Sequence, residues 1–195
     1  MLSRYVAGLA AATVLLAAGV ASAFNPPNPY DPDGRFSGGS PTGLFGGQSP
    51  IPRQQVSFNA SYAPGTIVIN TSERRLYLVL GGGQALRYGI GVGRVGFSWA
   101  GNTVVSAKKE WPDWTPPAQM LQRRHDLPRF MPGGPNNPLG ARAMYLGHSL
   151  FRIHGSNEPE TIGQAVSSGC FRLTNEDVID LYGRVSVGAK VIVLK

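Results

Sequence analysis

The chain contains a single cysteine, Cys170, set in Ser167-Ser168-Gly169-Cys170-Phe171-Arg172. Sixteen residues earlier stands Ile153-His154-Gly155-Ser156-Asn157. A thiol attacks as its thiolate, and a neighbouring imidazole is the usual device for lowering its pKa and then carrying the proton. Gly155 lets the backbone approach closely, so a main-chain carbonyl can hold the second imidazole nitrogen in one tautomer. Gly169 permits a tight turn that would aim the amides of Gly169 and Cys170 at a developing oxyanion. Arg172 puts a fixed positive charge two residues from the thiol, suited to a substrate carboxylate or to favouring thiolate. Together these residue types point to acyl transfer.

Each residue also has a plainer use. Free cysteine is among the most buried residue types, Ser-Gly-Cys makes an ordinary turn, Arg172 can be a surface charge and His154 a bonded core residue. The compartment tips the balance. Arg4 precedes an apolar, Ala-rich run from Val6 to Val20 and then Ala21-Ser22-Ala23, the pattern of a secretory signal peptide over residues 1–23. The run falls short of the ~20 apolar residues that span a bilayer, so no stable membrane insertion is expected after cleavage. An exported protein normally uses cysteines in pairs, and one alone cannot close an internal disulfide.

Charge narrows the partners. Eighteen Lys and Arg face eleven Asp and Glu, and loss of the signal peptide leaves the balance basic. The positive charges are scattered singly or in pairs such as Arg74-Arg75 and Arg123-Arg124, which argues for diffuse attraction to an anionic envelope polymer and against nucleic acid.

The elements that must position the site follow a Pro/Gly-rich stretch, residues 24–63, which reads as a flexible linker. From residue 64 to 195 the pattern is that of a mainly β domain with one or two short helices. Short strands are expected at 66–70, 75–80, 85–90, 103–107, 143–146, 150–154 and 190–194, the first ones as antiparallel hairpins. Thr174 or Asn175 can cap a helix running on through Val178, Ile179 and Leu181, and residues 160–166 can form a shorter one. Residues 111–140, rich in Pro and Gly but holding Trp111, Trp114 and Phe130, read as a lid or substrate wall. Gly91, Gly93 and Gly96 fit a dinucleotide fingerprint, but that motif must open a helix, and Val-rich strand follows instead. Arg152 and His148 share strand parity with His154, which makes Arg152 a candidate substrate ligand. With His148 and His125 scattered, no zinc set forms.

The segment from His154 to Asp177 resembles the signature of the L,D-transpeptidase catalytic domain of the YkuD type: His-Gly, a spacer, then Ser-x-Gly-Cys, a hydrophobic residue and Arg. Upstream, Ile67-Val68-Ile69-Asn70 and Tyr88-Gly89-Ile90-Gly91-Val92-Gly93 resemble the strands that open such domains, so the likeness spans residues 64–195. The resemblance implies a β-sandwich-like domain in which Cys170 attacks a peptidoglycan stem tetrapeptide, expels D-Ala and forms a thioester. An amine of another stem peptide, or of an envelope protein, then takes the acyl group; water would make the enzyme a carboxypeptidase. It implies His154 as base with Gly155 holding its tautomer, Gly169 and Cys170 at the oxyanion, and Arg172, Arg152 and Ser168 facing substrate. It also implies no metal and no organic cofactor, and a place in the periplasm or cell wall. Many members carry His where this chain has Ser168.

Sortase-like enzymes share the order His, Cys, Arg but spread these residues farther apart, and papain-like peptidases usually place Cys before His. A non-catalytic wall-binding module on the same fold is the rival from another class.

Overall fold

The computed structural model describes residues 49–59 and 61–195. The expected signal peptide and residues 24–48 of the expected linker lie outside the described residues.

In chain order the elements are β1 (Gln54–Ser57), β2 (Ile67–Asn70), β3 (Arg75–Gly81), β4 (Gln84–Gly89), β5 (Val92–Gly93), β6 (Gly101–Glu110) and α1 (Ala118–Arg123). They continue as β7 (Arg142–Leu146), β8 (Arg152–His154), β9 (Ala165–Ser167), β10 (Phe171–Arg172), α2 (Asn175–Arg184) and β11 (Lys190–Leu194). Nine strands form one sheet in the order β1-β4-β3-β2-β11-β6-β7-β8-β10, and β5 pairs with β9.

The antiparallel β2-β3-β4 meander follows from its alternation. Ile67 faces Leu78 and Ile69 faces Leu76 across the ladder, so all four side chains stack into the core at period two. Gly81, Gly82 and Gly83 close the β3–β4 connection at positive φ, a conformation that costs glycine little. β6 is long enough to serve two neighbours. Its first half pairs with β11, and its second half pairs with β7 beyond a register shift between Val105 and Ala107. A shift of this kind bends a strand and strengthens its twist. The core cluster draws Ile67, Ile69, Leu76 and Leu78 from one side of that bend and Met144, Leu146, Ile153 and Phe171 from the other, giving the sandwich-like burial the sequence leads one to expect.

α2 starts where Thr174 Oγ1 accepts the Asp177 N–H, with Glu176 and Asp177 in the first turn, where acidic groups suit the helix dipole. Val178 and Leu181 bury its inner face. At its far end Lys108 Nζ donates to the carbonyls of Tyr182 and Val185, which a helix C-terminus leaves without partners.

Two expectations need correction. Residues 54–57, placed by composition in the linker, form an edge strand on β4, and Ile51 fits against Gly89 and Gly163, where any Cβ would meet it within 3 Å. Only Val56 of β1 turns partly inward, so main-chain bonding holds this strand and its side-chain pattern carries no signal. Residues 160–166 make a 3-10 turn at Pro159–Thr161 and then β9. Gly163, at φ +86, ends the turn before a helix can grow.

Candidate active site

β8 and β10 run parallel, with Ile153 opposite Phe171 and His154 opposite Arg172. Residues directly across a ladder share a face. Ile153 and Phe171 point into the core, so Arg152, His154 and Arg172 turn to the other face, and Cys170, one residue before β10, lies there too. Sequence spacing left their proximity open; the strand pairing sets them on one face, with the Cys170 thiol donating to the Leu150 carbonyl at 3.8 Å.

His154 is 4% exposed, and its Nδ1 lies 2.5 Å from the Gly155 carbonyl oxygen. A carbonyl only accepts, so Nδ1 carries the proton and Nε2 keeps its lone pair. Gly155 is required for close packing: a Cβ there would stand 2.3 Å from Asn175 Oδ1. Asn175 Oδ1 in turn accepts the Ala141 N–H at 2.9 Å. The sequence offers Asn175 as a helix cap; the cap is Thr174, and Asn175 instead clamps the approach to β7 against the His154-Gly155 corner.

The thiol loop is pinned by Ser167. Its Oγ accepts the Gly169 N–H at 3.1 Å and donates to the Cys170 carbonyl at 2.6 Å. Of the two amides the sequence offers to an oxyanion, that of Gly169 is thus bonded to Ser167, while the Cys170 N–H has no hydrogen-bond partner among the described residues. Gly169 holds φ +105, and a Cβ there would meet Phe151 Cε1 at 2.5 Å. Gly91 and Gly93, the false dinucleotide fingerprint, let β5 pass close by. Gly91 exchanges main-chain bonds of 2.9 Å with Arg172, and a Cβ on Gly93 would lie 3.1 Å from the Gly169 Cα. The segment after Gly96 leads into β6, as expected, and not into a helix.

The electrostatics reverse one expectation. Burial, with the Arg152 and Arg172 charges reinforcing it, lowers His154 to about 3 against the pull of the Gly155 carbonyl. Burial also pushes the Cys170 thiol up, although the Arg152 charge and main chain and the Arg172 charge oppose it. Desolvation disfavours both charged forms, so at neutral pH the pair is thiol and neutral imidazole, not thiolate and imidazolium. The alkylation rate of Cys170 by iodoacetamide should therefore rise through a pKa above the unperturbed ~8.5; a midpoint below that value would overturn the neutral pair.

The depressed His154 pKa also makes stability pH-dependent. The unfolded chain binds this proton near ~6.5 and the folded chain only near 3. The stabilisation is complete above pH ~6.5 and is lost as pH falls toward 3. Asp177, raised to about 6 by burial, acts in the opposite sense, so the comparison must isolate the histidine. The urea midpoint should fall less between pH 7 and pH 4 in His154→Gln than in the wild type.

Arg172 donates to Glu158 Oε2 at 2.9 Å, and its Nε is buried without a partner. Arg152 lies over the Tyr145 ring at 5.5 Å, and its Nε too is buried and unpartnered. Ser168 is half-buried between the buried Ser167 and Gly169. His148 lies in the exposed turn before β8, outside the strand, so strand parity does not apply to it; His125 is exposed in the long loop. That loop is ordered by Asn137, 1% exposed, which donates to the Met131 and Pro132 carbonyls and accepts the Leu139 N–H. It meets the site segment where Asn157 donates to the Asn136 carbonyl. No helix among the described residues is long and apolar enough to cross a membrane.

The domain is mainly β and sets histidine, cysteine and two arginines on one face of a parallel strand pair. The chain is a member of the YkuD family, described as L,D-transpeptidase catalytic domain, whose model matches residues 64–193. The probable L,D-transpeptidase YbiS of Escherichia coli is 42% identical over 134 residues, covering 64% of this chain and 43% of that protein. ErfK/SrfK of the same organism, also a probable L,D-transpeptidase, is 39% identical over 66% of this chain and 43% of its own length. The chain thus spans less than half the length of these curated relatives. An L,D-transpeptidase structure from Mycobacterium smegmatis shares the fold at 18% identity and a TM-score of 0.55, covering 68% of this chain and 59% of that one. A Brucella melitensis structure named a probable carnitine operon oxidoreductase is 46% identical, with a TM-score of 0.51, over 78% of this chain and 99% of that one.

Proposed function

We propose that the chain is an exported L,D-transpeptidase of the cell envelope that transfers acyl groups between peptidoglycan stem peptides through Cys170. The observation that carries this reading is the β8–β10 pairing, which sets His154, Arg152, Arg172 and Cys170 on one face with the imidazole tautomer held by Gly155. As the donor carbonyl approaches, His154 Nε2 takes the thiol proton and Sγ attacks the carbonyl carbon. The Cys170 N–H donates to the oxyanion. Collapse breaks the amide bond, the departing D-Ala amine takes the proton back from His154, and a thioester remains. An acceptor amine then attacks the thioester, loses its proton to His154, and forms the new amide as the thiol leaves.

Arg172 and Arg152 supply charge for the donor's carboxylates, with Ser168 beside them at the thiol. The signal peptide over residues 1–23 delivers the protein to the periplasm or cell wall, and the basic balance draws it to an anionic polymer. The chemistry uses no metal and no organic cofactor. The test incubates the full chain with tetrapeptide muropeptides and follows products and protein by mass spectrometry. Free D-Ala, cross-linked dimers and an acyl adduct on Cys170 support the reading; binding with no D-Ala release would sink it.

A further inference from the structure

Trp99, on the connection between β5 and β6, reaches a site seventy residues further along the chain: its indole Nε1 donates to the Gly169 carbonyl at 3.1 Å. Two rings flank it. Phe151, beside Arg152, stacks at 4.9 Å and 16°, and Phe171, beside Cys170, packs tilted at 5.7 Å and 47°. The indole is therefore fixed by the two strands that carry the site.

A trans peptide is planar, and its C=O and N–H point in opposite directions; the described residues contain no cis bond. The Gly169 carbonyl and the Cys170 N–H belong to one such peptide. Holding the carbonyl against the indole directs the N–H to the opposite side. That tether is needed because Gly169, at φ +105, has no side chain to restrict its backbone, and the peptide can rotate freely without a partner on its oxygen. Ser167 secures the groups on either side of this peptide, the Gly169 N–H and the Cys170 carbonyl. The Cys170 N–H alone of these is left without a bond, and an amide unpaired in so ordered a loop is a donor kept for a ligand. Phenylalanine would fill the same slot, but only the indole offers a hydrogen at this reach.

Resting on the acyl-transfer reading above, we infer that Trp99 is a positioning residue for the oxyanion: its N–H holds the Gly169–Cys170 peptide so that the Cys170 N–H faces the reacting carbonyl. Trp99 touches no reacting atom and acts through that peptide.

Two reactions of the same thiol separate this role from a merely structural one. Alkylation by iodoacetamide displaces iodide at a saturated carbon and makes no oxyanion. Acylation by a carbapenem forms an Sγ–C bond, breaks the β-lactam C–N bond through an oxyanion, and sends the thiol proton to the ring nitrogen by way of His154. Both rates are measured on the full chain in the wild type, in Trp99→Phe, and with benzothienylalanine at position 99, which keeps the bicyclic shape without the N–H. Acylation should fall about tenfold or more in both variants, a smaller loss than the ~100–1000-fold found when an oxyanion donor is removed outright because here the donor is only misdirected, while alkylation is unchanged. Equal acylation in all three proteins overturns the inference, and so does a matched loss in both reactions. A wild type that alkylates but never acylates removes the acyl-transfer reading itself, and this inference with it.

Discussion

Cys170→Ala should reduce D-Ala release from muropeptide donors to background, and His154→Ala should reduce it by about a thousandfold. The two losses differ in kind. Without Cys170 no covalent acceptor exists for the acyl group. Without His154 the thiol is intact but must ionise unaided, and burial has pushed its pKa up. A thiol whose pKa burial has raised is almost wholly protonated at neutral pH, which with the lost proton delivery to the leaving amine accounts for the magnitude. The pH dependence is the sharper check. In the wild type, neither the depressed imidazole nor the raised thiol titrates between pH 5 and 8, so the rate should be nearly flat there. In His154→Ala the residual rate should climb about tenfold per pH unit as thiolate forms without a base. A flat residual rate would remove His154 from the proton path.

Much of this was readable in the sequence. Strands with β-branched alternation, such as Ile67–Asn70 and Lys190–Leu194, have lengths and faces set by local pattern, and α2 announces its start with Thr174 and two acidic residues. The stretches that escaped detection lack such a pattern. β9 and β10 span three and two residues and are strands only because long-range partners, β5 and β8, supply the ladder. α1 follows two prolines and buries no residue, so it reads as loop. The sequence offers Cys170, His154 and Arg172 as candidates, and the paired strands set them on one face, but their electrostatic state was not legible. Lone thiol and imidazole spacing points to an ion pair, whereas the desolvation that keeps both neutral comes from the packed sheet around them. Ser167 shows the same limit. Nothing in Ser-Ser-Gly-Cys says which serine hydroxyl consumes the Gly169 amide, and the answer leaves the Cys170 N–H as the unbonded amide of the pair. Asn175 and Trp99 were invisible as site residues because each acts on backbone that is remote in sequence.

Gly155→Ala should lower kcat by about a hundredfold and stability by about 1–3 kcal/mol, a large effect for one methyl group. The added Cβ would stand 2.3 Å from Asn175 Oδ1 and 3.1 Å from both the Ala141 nitrogen and Val178 Cγ1, so something must move. If Asn175 moves, the buried Ala141 N–H loses its acceptor, which carries the cost of an unsatisfied amide. If the Gly155 backbone moves, its carbonyl leaves His154 Nδ1; the imidazole can then adopt the other tautomer, with a proton on Nε2 and no lone pair for the thiol. The two routes separate in the double variant Gly155→Ala/Asn175→Ala, which removes the obstructing oxygen. Stability should stay low because Ala141 remains unpaired, yet turnover should recover in part because the Gly155 carbonyl can return to the ring. The urea midpoint and kcat, measured on all four proteins of the cycle, decide it. No recovery of turnover would mean that Gly155 serves the site by some means other than holding the tautomer, since the room for its carbonyl would then have been restored without effect.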